Sequence, residues 1–122
     1  MAVQTSNELI HKKCSACEGD MALVGPDEAA SQLERLPGWR ITHTGKRIRK
    51  DWTVKNFMAG LDFFKRVGQV AELEDHHPDL HLEGYRKVWI ELSTHAIGGL
   101  SENDFILAAK INYLSVDLQP PK

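Results

Sequence analysis

The 122-residue sequence predicts an α+β domain, a four-stranded antiparallel sheet with helices packed on one face. Three observations predict it. Apolar residues recur at helical spacing in three segments and alternate in the segments between them. The elements follow in the order helix, strand, strand, long helix, strand, strand, helix, and consecutive strands are joined by connections of hairpin length, as antiparallel neighbours require. Size agrees: a 13.8 kDa chain should fold to a surface of roughly 6,600 Å², burying about two-thirds of the extended chain without disulfide staples.

Residues 1–24 mix small, polar and charged types without periodicity and read as a loosely held, flexible arm. The domain proper runs over 25–118. Pro26 suits a first helical position, Asp27 and Glu28 favour the positive helix end, and Ala29, Leu33 and Leu36 repeat at helical spacing before Pro37-Gly38 stops the helix. Residues 39–43 and 46–52, with Thr44-Gly45 between them, read as a hairpin whose apolar faces carry Ile41, Ile48 and Trp52. Thr53 is the expected N-cap of the long helix, whose apolar stripe is Val54, Phe57, Met58, Leu61, Phe64, Gly68 and Ala71. Pro78 must end it, because proline disfavours helical geometry at His77.

Leu80 and Leu82 mark a short extended piece, Glu83-Gly84 turns the chain, and residues 85–94 alternate with Val88, Ile90 and Leu92 on one side. Gly98-Gly99 breaks the chain, and Ser101 with Asp104 three residues on is a capping-box signal for a helix over 105–114. Residues 119–122 read as a tail. A four-stranded sheet has two edges, so an exposed strand must be shielded or paired with a second copy, which favours sheet edges pairing between subunits.

Composition excludes several function classes. Hydrophobic residues at 42% and charged residues at 26% are ordinary for a folded globular chain. A net charge of −2 supplies no global field toward nucleic acid, so no direct nucleic-acid binding is expected. No apolar run approaches a membrane span, and the start MAVQTSNELIHKK has no apolar stretch of signal-peptide length, so the expectation is a cytoplasmic protein with no membrane partner.

Four of the six histidines fall between positions 76 and 95, and the densest stretch is Glu72-Leu73-Glu74-Asp75-His76-His77-Pro78. If the long helix holds its register to His76, Glu72 lies four residues away on the same face and can pair with it. His77, pushed toward extended geometry by Pro78, points elsewhere. Two imidazoles in adjacent, differently directed settings can present an acid and a base to one bound molecule. His95 stands just beyond the strongest strand, on the parity of Trp89, Glu91 and Ser93. There it can close a three-histidine cluster, with Ser93 and Thr94 supplying hydroxyls to a polar heterocycle. Each feature alone has a structural explanation: a histidine at a helix end is commonly a cap, and Asp104 is accounted for by the capping box.

The spacing Glu72-x3-His76-His77-Pro78-x6-Tyr85-x9-His95-x8-Asp104 resembles the signature of the pterin-4a-carbinolamine dehydratases, also known as dimerisation cofactors of a homeodomain transcription factor. Leu36-Pro37-Gly38-Trp39, Leu92-Ser93-Thr94-His95 and Gly98-Gly99-Leu100-Ser101-Glu102-Asn103-Asp104 strengthen the likeness, which covers about residues 27 to 116. The resemblance implies three helices on one side of the sheet, assembly into homodimers or homotetramers, and dehydration of 4a-hydroxytetrahydrobiopterin to quinonoid dihydropterin without metal or organic cofactor. It implies His76, His77 and His95 as catalytic histidines with Glu72 as their supporting carboxylate. Asp75-His76-His77 and Ser93-Thr94-His95 become the two substrate-binding triplets. The alternatives are a non-enzymatic dimerisation or transcriptional cofactor, with Phe57, Leu61 and Phe64 at the interface, or a pterin-binding assembly factor.

Two weaker signals stand apart. His11-x2-Cys14-x2-Cys17 has the short spacing of metal ligands, yet a closed zinc site needs four and no further cysteine exists; no fixed role is the expectation, with a shared metal or redox use as alternatives. The basic run Lys46-Arg47-Ile48-Arg49-Lys50 reads as a solvated hairpin edge rather than a phosphate contact.

Overall fold

In the computed structural model, which describes residues 1–16, 19 and 21–121, strands β1 (Arg40–Thr42), β2 (Arg47–Thr53), β3 (Asp79–Glu83) and β4 (Lys87–Leu92) form one antiparallel sheet in the order β1-β2-β4-β3. Register follows the pleat. Ile48 sits opposite Leu92, Lys50 opposite Ile90 and Trp52 opposite Val88, so the apolar side chains of both central strands emerge on one face. Ile48, Val88, Ile90 and Leu92 are at most 1% exposed there, joined by Phe63 and Val67 of helix α3 (Phe57–Glu74) and Phe105 to Ile111 of helix α4 (Glu102–Asn112). The other face carries Arg47, Arg49, Asp51, Trp89 and Glu91. The surface area, 6956 Å², is close to that expected for the chain's mass.

Helix α2 (Pro26–Leu33) begins at Pro26 as expected, with Asp27 and Glu28 in its first turn. The β1–β2 connection is a short 3-10 turn, His43–Gly45, in which Thr44 takes φ +57°. In the β3–β4 connection Gly84 and Tyr85 both have positive φ, so Tyr85 belongs to the turn and the strand starts only at Lys87.

The long helix departs from expectation at its start and in its face. Thr53 is the last residue of β2, and the N-cap is Asn56, whose Oδ1 accepts from the Ala59 amide at 2.9 Å. The buried stripe is Ala59, Gly60, Phe63, Val67 and Ala71, whereas Phe57, Met58 and Leu61 are 46%, 60% and 41% exposed. Both stripes have helical spacing, and small residues decide between them. A Cβ on Gly60 would come within 2.9 Å of Leu82 Cδ1, so this side of the helix alone can lie so close to the sheet.

The largest correction concerns residues 1–16 of the expected arm, which are tied down, not loose. Thr5 and Glu8 form a capping box for a short helix α1 (Ser6–Ile10), and Leu9 is fully buried against α4. The Gln4 amide donates to Gln32 Oε1 and Gln32 Nε2 donates to the Gln4 carbonyl, both at 2.8 Å. The Cys14 amide donates to Glu74 Oε1 at 2.8 Å and the Ser15 amide to Asn103 Oδ1 at 2.9 Å. The physical reason lies in α4. Phe105, Ile106, Leu107, Ala108, Ala109 and Ile111 are apolar on every side, so a sheet-facing contact covers only half of the helix and α1 covers the rest. At the other end, the Gln119 amide donates to the Thr53 carbonyl at 3.0 Å, so the first tail residue is tied to β2.

Glu74 anchors this packing. Burial alone would raise its carboxyl, but Lys110 at 2.9 Å and the Cys14 amide outweigh burial and hold it below the usual carboxylate range. Its folded pKa is therefore below the unfolded one, so its contribution to stability is present above about pH 4.3 and is lost as pH falls through the lower folded value. Urea midpoints at pH 7 and pH 3 should differ less in Glu74→Gln than in the wild type; equal differences would show that Glu74 does not carry acid sensitivity.

Candidate functional site

The site begins where α3 ends. Asp75 takes a left-handed conformation, φ +50°, and its amide donates to the carbonyls of Ala71 and Glu72. The helix therefore stops at Glu74 and the ring of His76 turns inward, leaving the residue 4% exposed. This overturns the expected Glu72–His76 pair, which needed helical register to persist through Asp75. Glu72 instead faces His77 at 3.6 Å, beyond direct hydrogen-bond length, and both side chains are largely exposed.

His76 meets Asp104. Its Nε2 lies 2.7 Å from Asp104 Oδ1. The other carboxylate oxygen, Oδ2, accepts from the Ser101 amide and the Thr94 hydroxyl, each at 2.9 Å, and the Thr94 and Ser101 hydroxyls are 2.6 Å apart. Asp104 is fully buried. It completes the capping box of α4, as the sequence signals, and also ties the ends of α3 and β4 to that helix N-terminus, where the positive end of the helix favours a carboxylate. A carboxylate oxygen accepts, so Nε2–H is the donor in this pair. Sequence reasoning found the cap and missed this second use, since nothing local to residues 101–104 reports what comes from α3.

Above this buried group lies an open cleft of about 520 Å³, bordered by Asp75, His76 and His77 from the end of α3, Ser93 and His95 from the end of β4, and Ala16 from the N-terminal segment. Five of the expected site residues thus meet at one cavity. Thr94 is fully buried behind the cleft, its hydroxyl engaged by Ser101 and Asp104, and Glu72 is not on the cleft wall. The fourth histidine of the stretch, His81, goes to the opposite sheet face, stacked on Trp89 at 4.9 Å and 3.1 Å from Glu91. Three imidazoles on one solvent-reached cleft, one of them held by a buried carboxylate, can exchange protons with a flat polar guest.

A somewhat larger cleft, about 600 Å³, lies between β2, the end of α4 and the C-terminal segment. Of its ionisable side chains, Lys50 is pushed down by burial and donates from Nζ to Asn112 Oδ1 at 3.0 Å, while Asp51 is held by Arg49 and Arg40. No histidine is among its described lining residues, so the histidine cleft is the better candidate for proton-transfer chemistry.

Of the cysteine motif, Cys17 lies outside the described residues. Burial, with the Glu74 carboxylate beside it, pushes the Cys14 thiol up to about 12, which makes it a poor nucleophile and a poor ligand. His11 Nδ1 is 2.7 Å from the Asn7 carbonyl oxygen. Among the described residues no group of three or more His, Cys, Asp or Glu side chains is placed to hold a metal ion, and no helix is long and apolar enough to cross a membrane.

Comparison with known proteins agrees with the geometry. Residues 22–114 match the family model described as pterin 4 alpha carbinolamine dehydratase. The chain is 49% identical over 113 residues to the Arabidopsis thaliana protein named pterin-4-alpha-carbinolamine dehydratase 2, mitochondrial, an alignment spanning 90% of this chain but 60% of that one. A Nitrosospira multiformis protein provisionally given the same dehydratase name is 44% identical, over 90% of this chain and 95% of its own. A solved structure from Brucella melitensis, described as a transcriptional coactivator/pterin dehydratase, superposes with a TM-score of 0.69 at 28% identity, covering 75% of this chain and 96% of that one. With its matched region containing the His76–Asp104 pair and both stretches that supply the cleft's histidines, the chain belongs to the pterin-4a-carbinolamine dehydratase family.

Proposed function

We propose that this chain is a hydro-lyase that converts 4a-hydroxytetrahydrobiopterin to quinonoid dihydropterin, returning the spent pterin of aromatic amino acid hydroxylases to the recycling route. The observation that carries this reading is the meeting of His76, His77 and His95, drawn from two separate stretches, on one cleft of about 520 Å³. In the reaction the C4a–O bond breaks, the hydroxyl leaves as water after taking one proton, the N5 proton is lost, and a C4a=N5 double bond forms. One proton donor and one acceptor on the flanks of the ring suffice. His76, oriented by Asp104, acts on the departing oxygen, and His95 faces it across the cleft. His77 holds the pterin with Asp75 and Ser93, and Glu72 orients His77. Thr94 acts from behind, through its bond to Asp104.

His76→Ala and His95→Ala are each expected to slow dehydration by about 100-fold or more, toward the uncatalysed rate, in rapid-mixing absorbance traces of hydroxypterin decay. Wild-type rates in both variants would sink the catalytic assignment.

The reading includes a homodimer or homotetramer and a cytoplasmic location. Supporting the first are β3 as an edge strand and the apolar surface left by Phe57, Met58 and Leu61 on the adjacent turn of α3. Light scattering on eluted protein tests it. A tagged chain followed in cells tests the second, the Arabidopsis relative's name being mitochondrial. The coactivator part of the Brucella protein's description favours one other reading, a dimerisation cofactor for a transcription factor. Pterin binding without turnover on one preparation would favour that or an assembly role over catalysis.

A further inference from the structure

We propose that the natural substrate carries an anionic group, a phosphate or carboxylate, on its pterin side chain, and that Lys46 and Arg47 receive it in a pocket adjoining the histidine cleft. This rests on the pterin reading above and extends it to the substituent. The pocket, about 230 Å³, is bordered by Lys46, Arg47, Ser93, Thr94, His95 and the Gly98-Gly99 backbone. Ser93 and His95 also border the larger cleft, so a ring lying among the histidines has this pocket at its side. Among the described residues its lining holds Lys46 and Arg47 and no carboxylate.

Strand geometry separates these two cations from the rest of the basic run. Lys50 emerges on the helix side and is tied to Asn112. Arg49 is held by Asp51 through Nε and a terminal nitrogen at 2.9 and 2.8 Å, and stacks on Trp89. Lys46 and Arg47, at the turn and the first residue of β2, are the members of the run that border the pocket. Arg47 reaches Asp79 and Glu91 only at 3.7 and 3.8 Å, too far for direct hydrogen bonds, so its planar fork keeps donors for a closer anion. A solvated edge would not need a lysine and an arginine with loosely held ion-pair partners beside a polar opening that adjoins the histidine cleft.

The test is titration calorimetry of the full chain with 7,8-dihydroneopterin, its 3′-phosphate, and 6-carboxypterin, so that it holds whether or not the protein turns over. The phosphate ester should bind about tenfold or more tightly than the uncharged dihydroneopterin at low salt, with the preference shrinking as salt rises. 6-Carboxypterin tells whether a carboxylate serves equally. In Lys46→Ala/Arg47→Ala the ratio between charged and uncharged probes should fall toward one, and Arg47→Lys should retain part of it. Equal affinities in the native chain, or a ratio unchanged in the double variant, overturn the anionic subsite. Preference for the phosphate in a protein that never dehydrates hydroxypterin supports the subsite and overturns the catalytic reading instead.

Discussion

Asp104→Asn is expected to lower the dehydration kcat by about 100-fold while changing KM little. The size of the effect follows from the loss of one imidazole's orientation at an acid–base centre. Two buried donors, the Ser101 amide and the Thr94 hydroxyl, converge on Oδ2, so the carbonyl oxygen of Asn must occupy that position. The amide nitrogen is then left facing His76 Nε2, where a donor stands in place of an acceptor. The ring must adopt the other tautomer or turn away. Nitrogen NMR shifts of His76 separate this from a general loss of structure, because tautomer exchange moves them and global loosening does not. Asp104→Ala goes further, stranding three buried partners and costing about 3–5 kcal/mol of stability. Asp104→Asn turning over at the native rate would show that His76 needs no positioning.

Leu9→Ala should cost about 2–4 kcal/mol, read as a shift in urea midpoint at unchanged slope. Leu9 is fully exposed in any picture of a loose arm, and there the substitution would be near neutral. In the structure its side chain is buried against α4, on the side that the sheet does not cover. Amide exchange adds a second reading: the Cys14 and Ser15 amides, bound to Glu74 and Asn103, should be protected to a similar degree as α4 itself. A midpoint within the error of the wild type would return residues 1–24 to the status of an appendage.

What could be read from residue order alone divides along the range of the interaction. The antiparallel sheet, both hairpins, the proline start of α2 and the Ser101–Asp104 cap are local, and local chemistry announced them. The face of α3 is not. Two stripes were available, and the choice depended on how near Gly60 could come to Leu82, a residue on another element. The Glu72–His76 expectation failed one residue short, at Asp75, because an unforced left-handed aspartate has no signature comparable to glycine. The partner that His76 does take comes from twenty-eight positions away. Helix α1 was within reach: Thr5 and Glu8 are spaced as a capping box, and the Phe105-Ile106-Leu107-Ala108-Ala109 run is too apolar on all sides to be covered by a sheet alone. Neither clue was strong without the other.

Ala16 borders the histidine cleft, yet it precedes residue 22, where the match to the family model begins. Part of the candidate cleft's border is therefore supplied from outside the family model's match, though within the length aligned to the Arabidopsis and Nitrosospira relatives. Changes accumulating there can reshape which guest is admitted while every imidazole stays in place, so two relatives with the same signature can diverge in what they accept. An assay on a version shortened to residues 22–114 would report on a cleft without Ala16.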